Sequence, residues 1–132
     1  MILEDDKYCF ACGQDNPRGL KLKIERGDKK AVIKYTPDKT LQGYKDIVHG
    51  GILATLMDEA MAHAVASMGL MGVTAKLEIK FKKPVEVGNT ITIEGTVEDV
   101  RNGWAYTNSK IMSDKHEILA EAKGLFKILQ VK

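Results

Sequence analysis

Apolar and polar positions alternate with period two at the start of the chain, where Leu20, Leu22 and Ile24 interleave with Lys21, Lys23 and Glu25. That is the pattern of a half-buried strand, here ending at Gly27-Asp28. Residues 31–35 can pair back on it as a hairpin, Pro37 breaks the extension, and residues 40–48 read as an irregular approach to the next element. From Gly50 the period changes. Over residues 50–68, Leu53, Met57, Ala60, Met61, Ala64 and Met68 fall on one side of a helix, and Thr55, Glu59, His63 and Ser67 form a single polar stripe. Gly69 is the stop signal and Gly72 closes the loop after it. A helix of about 28 Å with so little polar surface must be wrapped by other structure.

Period two then returns, with Val73, Ala75, Leu77, Ile79 and Phe81 facing one way and Thr74, Lys76, Glu78, Lys80 and Lys82 the other, up to Pro84. Residues 90–101, 104–112 and 118–129 supply three more strands, linked by the tight Asn102-Gly103 turn and by residues 113–116. The predicted order is two strands, one long helix, then four strands in an antiparallel meander. A lone apolar helix on one such sheet requires the sheet to curl around it, an α+β arrangement.

Composition narrows the function classes. A length of 132 residues fits one domain, 1–132, with a loop-like N-terminal segment over 1–19. The 44% hydrophobic and 29% charged fractions are those of a globular chain, and no apolar run approaches the roughly 20 residues of a membrane span. The first six residues are acidic rather than signal-like, so a cytoplasmic location is expected. Twenty Lys and Arg against eighteen Asp and Glu, interspersed along the chain, give no basic block for nucleic acid. Cys9 and Cys12 form a single C-x-x-C, which supplies two of the four ligands a structural zinc needs; a pair of buried thiols and no metal is the expectation.

The chemistry concentrates on the helix. Asp58 and Glu59 are adjacent carboxylates among Leu, Met and Ala, where an ionised group costs several kcal/mol unless it is compensated or used. His49-Gly50-Gly51 opens the same helix, and the unpaired N–H groups of a glycine turn there carry partial positive charge that can hold an oxyanion. An acid and an oxyanion site on one helix suggest acyl-group hydrolysis. One residue along a helix is a turn of about 100°, so Asp58 and Glu59 cannot face the same carbonyl. Asp58 is the catalytic candidate. Glu59 lies on the polar stripe as a hydrogen-bonded or solvated residue, and with Gly51 it is a candidate for substrate binding.

The order of elements, with His49-Gly50-Gly51 followed by Asp58, resembles the hotdog-fold thioesterases, specifically the phenylacetate-pathway (PaaI-like) group of acyl-CoA hydrolases. Tyr8-Cys9-Phe10-Ala11-Cys12-Gly13, Asn16-Pro17-Arg18-Gly19-Leu20, Leu41-Gln42-Gly43-Tyr44 and the run from Thr74 to Pro84 resemble segments of that group. The resemblance implies a hotdog fold of about six strands around the helix, and an acyl-CoA substrate hydrolysed to free acid and coenzyme A without cofactor or metal. It implies that Asp58 is the acid, nine positions after the His of the turn. His49 would orient the loop and the substrate carbonyl, and Thr74 stands where the family often has an assisting hydroxyl. The cysteine-containing opening is not a metal site in that group. Lys45-Asp46 departs from the small residues usual before the His, which bears on the acyl pocket.

Several readings stay open. Asp58 would deprotonate a water or attack the carbonyl itself, and the oxyanion donor would be Gly50 or Gly51. The period of its strand puts Thr74 away from the core, so it reaches the site only if the strand bends or a partner approaches. Lys76, Lys80, Lys82 and Lys83 could meet coenzyme A phosphates or simply be a solvated face. Met68-Gly69-Leu70-Met71-Gly72 could make an adaptable acyl pocket or just a turn. Gly50 and Asp58 lie about 12 Å apart along the axis, so one subunit cannot place both around one carbonyl. Two antiparallel helices across a two-fold can, and a homodimer is expected; the resemblance implies that such dimers often pair further into a dimer of dimers. The rival reading is a non-catalytic acyl-CoA or metabolite-binding hotdog module; a hotdog dehydratase would want its His and acid disposed differently.

Overall fold

Helix α1 (Gly50–Ala66) is the centre of the molecule, because Leu53, Leu56, Met57, Ala60, Met61, Ala64 and Val65 all lie buried along it. The structure, a computed structural model, describes residues 2–131. Six strands surround the helix: β1 (Ile24–Gly27), β2 (Lys30–Tyr35), β3 (Leu70–Phe81), β4 (Ile91–Arg101), β5 (Trp104–Ser113) and β6 (Ile118–Val131). They form one antiparallel sheet in the order β1-β2-β4-β5-β6-β3. Ile33, Ile91, Ile93, Ile111, Ala120 and Phe126 turn inward from it and bury their side chains against α1, each large one stabilising the fold by about 1.5–3 kcal/mol. No helix among the described residues is long and apolar enough to cross a membrane.

Small residues set how close helix and sheet come. Gly95 in β4 faces the backbone of Ala60, and a Cβ there would stand 2.4 Å from the Ala60 carbonyl carbon. Glycine lets the strand backbone touch the helix backbone at mid-length.

The topology departs from the predicted meander at one strand. β4, β5 and β6 do meander, but β3 pairs with β6 at the far edge while β4 joins β2. Residues 82–90 are too long and too structured for a hairpin: Pro84 lies just past the end of β3, Val85 is buried, Gly88 sits at φ +91°, and the link crosses to the other side of the sheet. Boundaries shift as well. The first strand begins at Ile24 rather than Leu20, because Lys21 has φ +53° and the N–H groups of Leu20 and Leu22 donate to the carbonyls of Phe10 and Ala11. The helix ends at Ala66, with Gly69 at φ +76°. Gly72 does not close a loop: it lies inside β3 at a register irregularity, where a Cβ would come within 2.6 Å of the Lys127 carbonyl oxygen. Residues 40–48 are pinned rather than loose, through a 3₁₀ turn at Lys39–Leu41 and single bridges Gln42 to Val48 and Ile47 to Glu86.

Candidate active site

His49 caps α1 with its own ring. Nδ1 accepts from the Gly51 N–H at 2.9 Å, so the ring proton sits on Nε2, which stays free to donate. The His49 N–H donates to the Leu41 carbonyl and Gly43 packs against its Cα, so the approach segment fixes the cap. Two of the first N–H groups of the helix differ in consequence. That of Gly51 is used by His49; that of Gly50 has no hydrogen-bond partner among the described residues. Gly50 is exposed, and the only side chain close to where its Cβ would be is Phe81, at 3.7 Å. Of the two N–H groups the sequence left open as oxyanion donors, that of Gly50 is the one without a partner among the described residues.

Asp58 stands two turns on, half-buried, and its Oδ1 accepts from the Thr74 hydroxyl at 2.6 Å. Thr74 reaches it because β3 carries a bulge. Thr74 is opposite Phe126 and Lys76 is opposite Leu125, leaving Ala75 as the extra residue. The bulge switches parity, so Thr74 shares the inward face with Leu77 and Ile79 instead of the outward face that its period predicts. Burial pushes the Asp58 carboxyl above the ordinary carboxylate range; the Thr74 hydrogen bond opposes this and the neighbouring Glu59 charge adds to it.

Glu59 turns elsewhere, as the 100° step requires. Its carboxylate accepts from His63 Nε2 at 2.8 Å, and Arg26 Nε donates to His63 Nδ1 at 3.0 Å. Burial would raise its pKa, but hydrogen bonds from His63 and Cys12, with the His63 and Arg26 charges, outweigh that and hold it below the ordinary range. It faces the N-terminal segment rather than the Asp58 carboxylate. The polar stripe of the helix already sets Glu59 beside His63, but nothing in the one-dimensional pattern signals that Arg26 and Cys12 join them.

The lysines divide. Lys82 pairs with Glu121 and Lys83 with Glu117, while Lys76 and Lys80 are exposed on β3. A groove of about 780 Å³ lies on the helix-free face between Lys80, Glu94, Lys110 and Glu121, away from Asp58. Its charges alternate and pair, as with Lys30 and Glu94 at 3.0 Å.

A profile described as thioesterase superfamily matches residues 45–120, more than half of the sequence, and spans His49, Gly50, Asp58 and Thr74. The chain belongs to the thioesterase superfamily. Acyl-coenzyme A thioesterase THEM5 of Mus musculus is 33% identical over 105 residues, 79% of this chain and 42% of that protein. The chain spans about half the length of the curated acyl-coenzyme A thioesterases it matches, 42% and 49% in two of them. Among solved structures, the Escherichia coli PaaI protein from the phenylacetic acid degradation operon superposes with a TM-score of 0.80 at 24% identity, over 86% of this chain and 83% of that one. A hypothetical thioesterase from Streptococcus pneumoniae, solved with coenzyme A, gives 0.80 at 22%, over 84% and 88%. These likenesses give this superfamily member the hotdog fold.

Proposed function

We propose that this chain is an acyl-CoA thioesterase whose two active sites are each shared across a homodimer. Asp58, kept half-buried at a desolvation cost and supported by Thr74, carries the proposal. The relatives named acyl-coenzyme A thioesterases support the substrate class.

The substrate carbonyl oxygen lies on the Gly50 N–H at the positive end of one helix, with His49 Nε2–H as a second donor. Asp58 of the other protomer supplies the attacking electron pair, directly or through a water it deprotonates. The coenzyme A thiolate, with a pKa near 8.5, leaves with little acid assistance. Two features support the two-fold. Gly50 and Asp58 of one helix lie about 12 Å apart, too far for one carbonyl. β3 is also a long sheet edge whose outer side no described strand covers, with Val73 and Phe81 exposed on it, and such edges invite pairing.

The test is a panel of aromatic, short-chain and medium-chain acyl-CoAs assayed by free-thiol release, with Asp58→Asn as control. Thiol release by the wild type alone is the expected result. Binding without release by either protein would make it an acyl-CoA binding module instead.

A further inference from the structure

Cys9, Cys12 and Glu59 come together where the sequence offered only a C-x-x-C. Their sulfur and carboxylate donor atoms all lie within 4.8 Å of one another, and all three residues are partly buried. Nothing in the thioesterase chemistry uses them, because Glu59 points away from Asp58 on α1.

We propose that Cys9, Cys12 and Glu59 form a binding site for a thiophilic divalent cation of the Zn²⁺ class, which staples the N-terminal segment to the central helix. Three observations carry it. The first is the donor set itself: two sulfurs and one carboxylate oxygen, with water completing four-coordination, suit zinc rather than magnesium or calcium. Metal–ligand bonds of about 2.0–2.3 Å bring such donors to within about 4 Å of each other, so the cluster needs only a small contraction.

The second is the shape of the turn. The Cys12 N–H points at Cys9 Sγ at 3.5 Å, and the Gly13 N–H donates to the Cys9 carbonyl at 2.9 Å. The backbone wraps so tightly around Cys9 that a Cβ on Gly13 would stand 2.4 Å from the Cys9 nitrogen. The turn thereby keeps the two sulfurs close to each other and to Glu59.

The third is the support behind the carboxylate. Arg26 fixes the His63 proton on Nε2, and His63 in turn holds Glu59, the arrangement by which outer groups orient a metal ligand. Without a cation the cluster is three acidic groups in one place, and burial together with the Glu59 carboxylate pushes the Cys12 thiol strongly up. A divalent ion reverses that. Binding releases the two thiol protons to solvent and leaves two thiolates and a carboxylate on the metal. Glu59 is thereby a ligand supplied by the fold to a motif that lacks one in sequence.

The experiment titrates the reduced, chelator-treated full chain with Co²⁺ and then displaces it with Zn²⁺. The expected result is one equivalent of tetrahedral cobalt with a sulfur-to-cobalt charge-transfer band. Cys12→Ser should lose the band. Glu59→Gln should keep it but bind Co²⁺ at least tenfold more weakly. Zinc should raise the unfolding temperature of the wild type and not of Cys12→Ser. X-ray absorption on the zinc-loaded wild type, which does not depend on any variant folding, should give two sulfur and two oxygen or nitrogen neighbours. No charge-transfer band, an absorption shell without mixed sulfur and oxygen or nitrogen, or Glu59→Gln binding as tightly as wild type would each overturn the proposal.

Discussion

Thr74 Oγ1 donates to Asp58 Oδ1 at 2.6 Å across two different elements, and a single extra residue, Ala75, makes that contact available. Without the bulge the regular alternation of β3 would send the Thr74 side chain to the helix-free face, and Asp58 would keep its burial without its hydrogen bond. The relationship is a compromise. It stabilises the ionised carboxylate enough to keep it usable, while burial still holds its pKa above the ordinary range.

Asp58→Asn is expected to abolish thioester hydrolysis, by 10²-fold or more on the usual scale of a lost base, and to raise thermal stability at neutral pH. A raised folded-state pKa means that folding favours the protonated acid, so the charged form destabilises the fold above that pKa. The penalty disappears as pH falls below the ordinary carboxylate value, where both states are protonated. The gain from Asn should be largest near pH 7 and absent near pH 3. Melting curves of both proteins across that range check it; equal melting temperatures at every pH would place Asp58 in water rather than in a half-buried site.

Thr74→Val preserves shape and removes the hydroxyl. The Asp58 pKa should rise further, since the lost hydrogen bond is the group that lowers it. Activity requires the carboxylate, so the acidic limb of the kcat/KM profile should move to higher pH. A partly exposed hydrogen bond to a charge suggests a loss of about threefold on that limb. A pH–rate profile with an unmoved limb would remove Thr74 from the mechanism.

Gly95→Ala addresses the helix–sheet contact. The added methyl meets the Ala60 carbonyl carbon and oxygen and the Met61 nitrogen, all backbone atoms within 2.7 Å, so no rotamer change relieves it. Destabilisation of at least about 2 kcal/mol is expected, read as a lower denaturation midpoint. A midpoint unchanged from wild type would mean that α1 moves freely over β4.

Much of this was legible in the order of residues. The period of residues 50–68 marks a wrapped helix, and period two marks strands, because burial on one face leaves a regular trace. The adjacency of Asp58 and Glu59 on a helix already separates their directions, and the structure sends one to Thr74 and the other to His63. What escapes that reading is set by three-dimensional choices. The pairing of β3 with β6 rather than β4 depends on how the sheet closes around α1, and the Ala75 bulge depends on register against Phe126 and Leu125. The meeting of Cys12 with Glu59 joins residues 47 apart in sequence, and no local pattern announces it.

The proposed sharing of each site between two protomers has a test that a single-subunit site would fail. Gly50→Ala should leave the fold intact, since its Cβ would meet only Phe81 at an ordinary 3.7 Å, yet it puts a methyl group beside the free N–H and should cost at least tenfold in activity. Asp58→Asn removes the other half of the site. If each site takes Gly50 from one protomer and Asp58 from its partner, a heterodimer of the two variants contains one intact site and one with both defects. Random exchange makes half of the dimers mixed, so an equimolar mixture should regain about one quarter of wild-type activity. The expected observation is recovery that develops with subunit exchange and is absent when the variants are assayed separately. If both groups acted within one chain, every site in the mixture would stay defective and no activity would return.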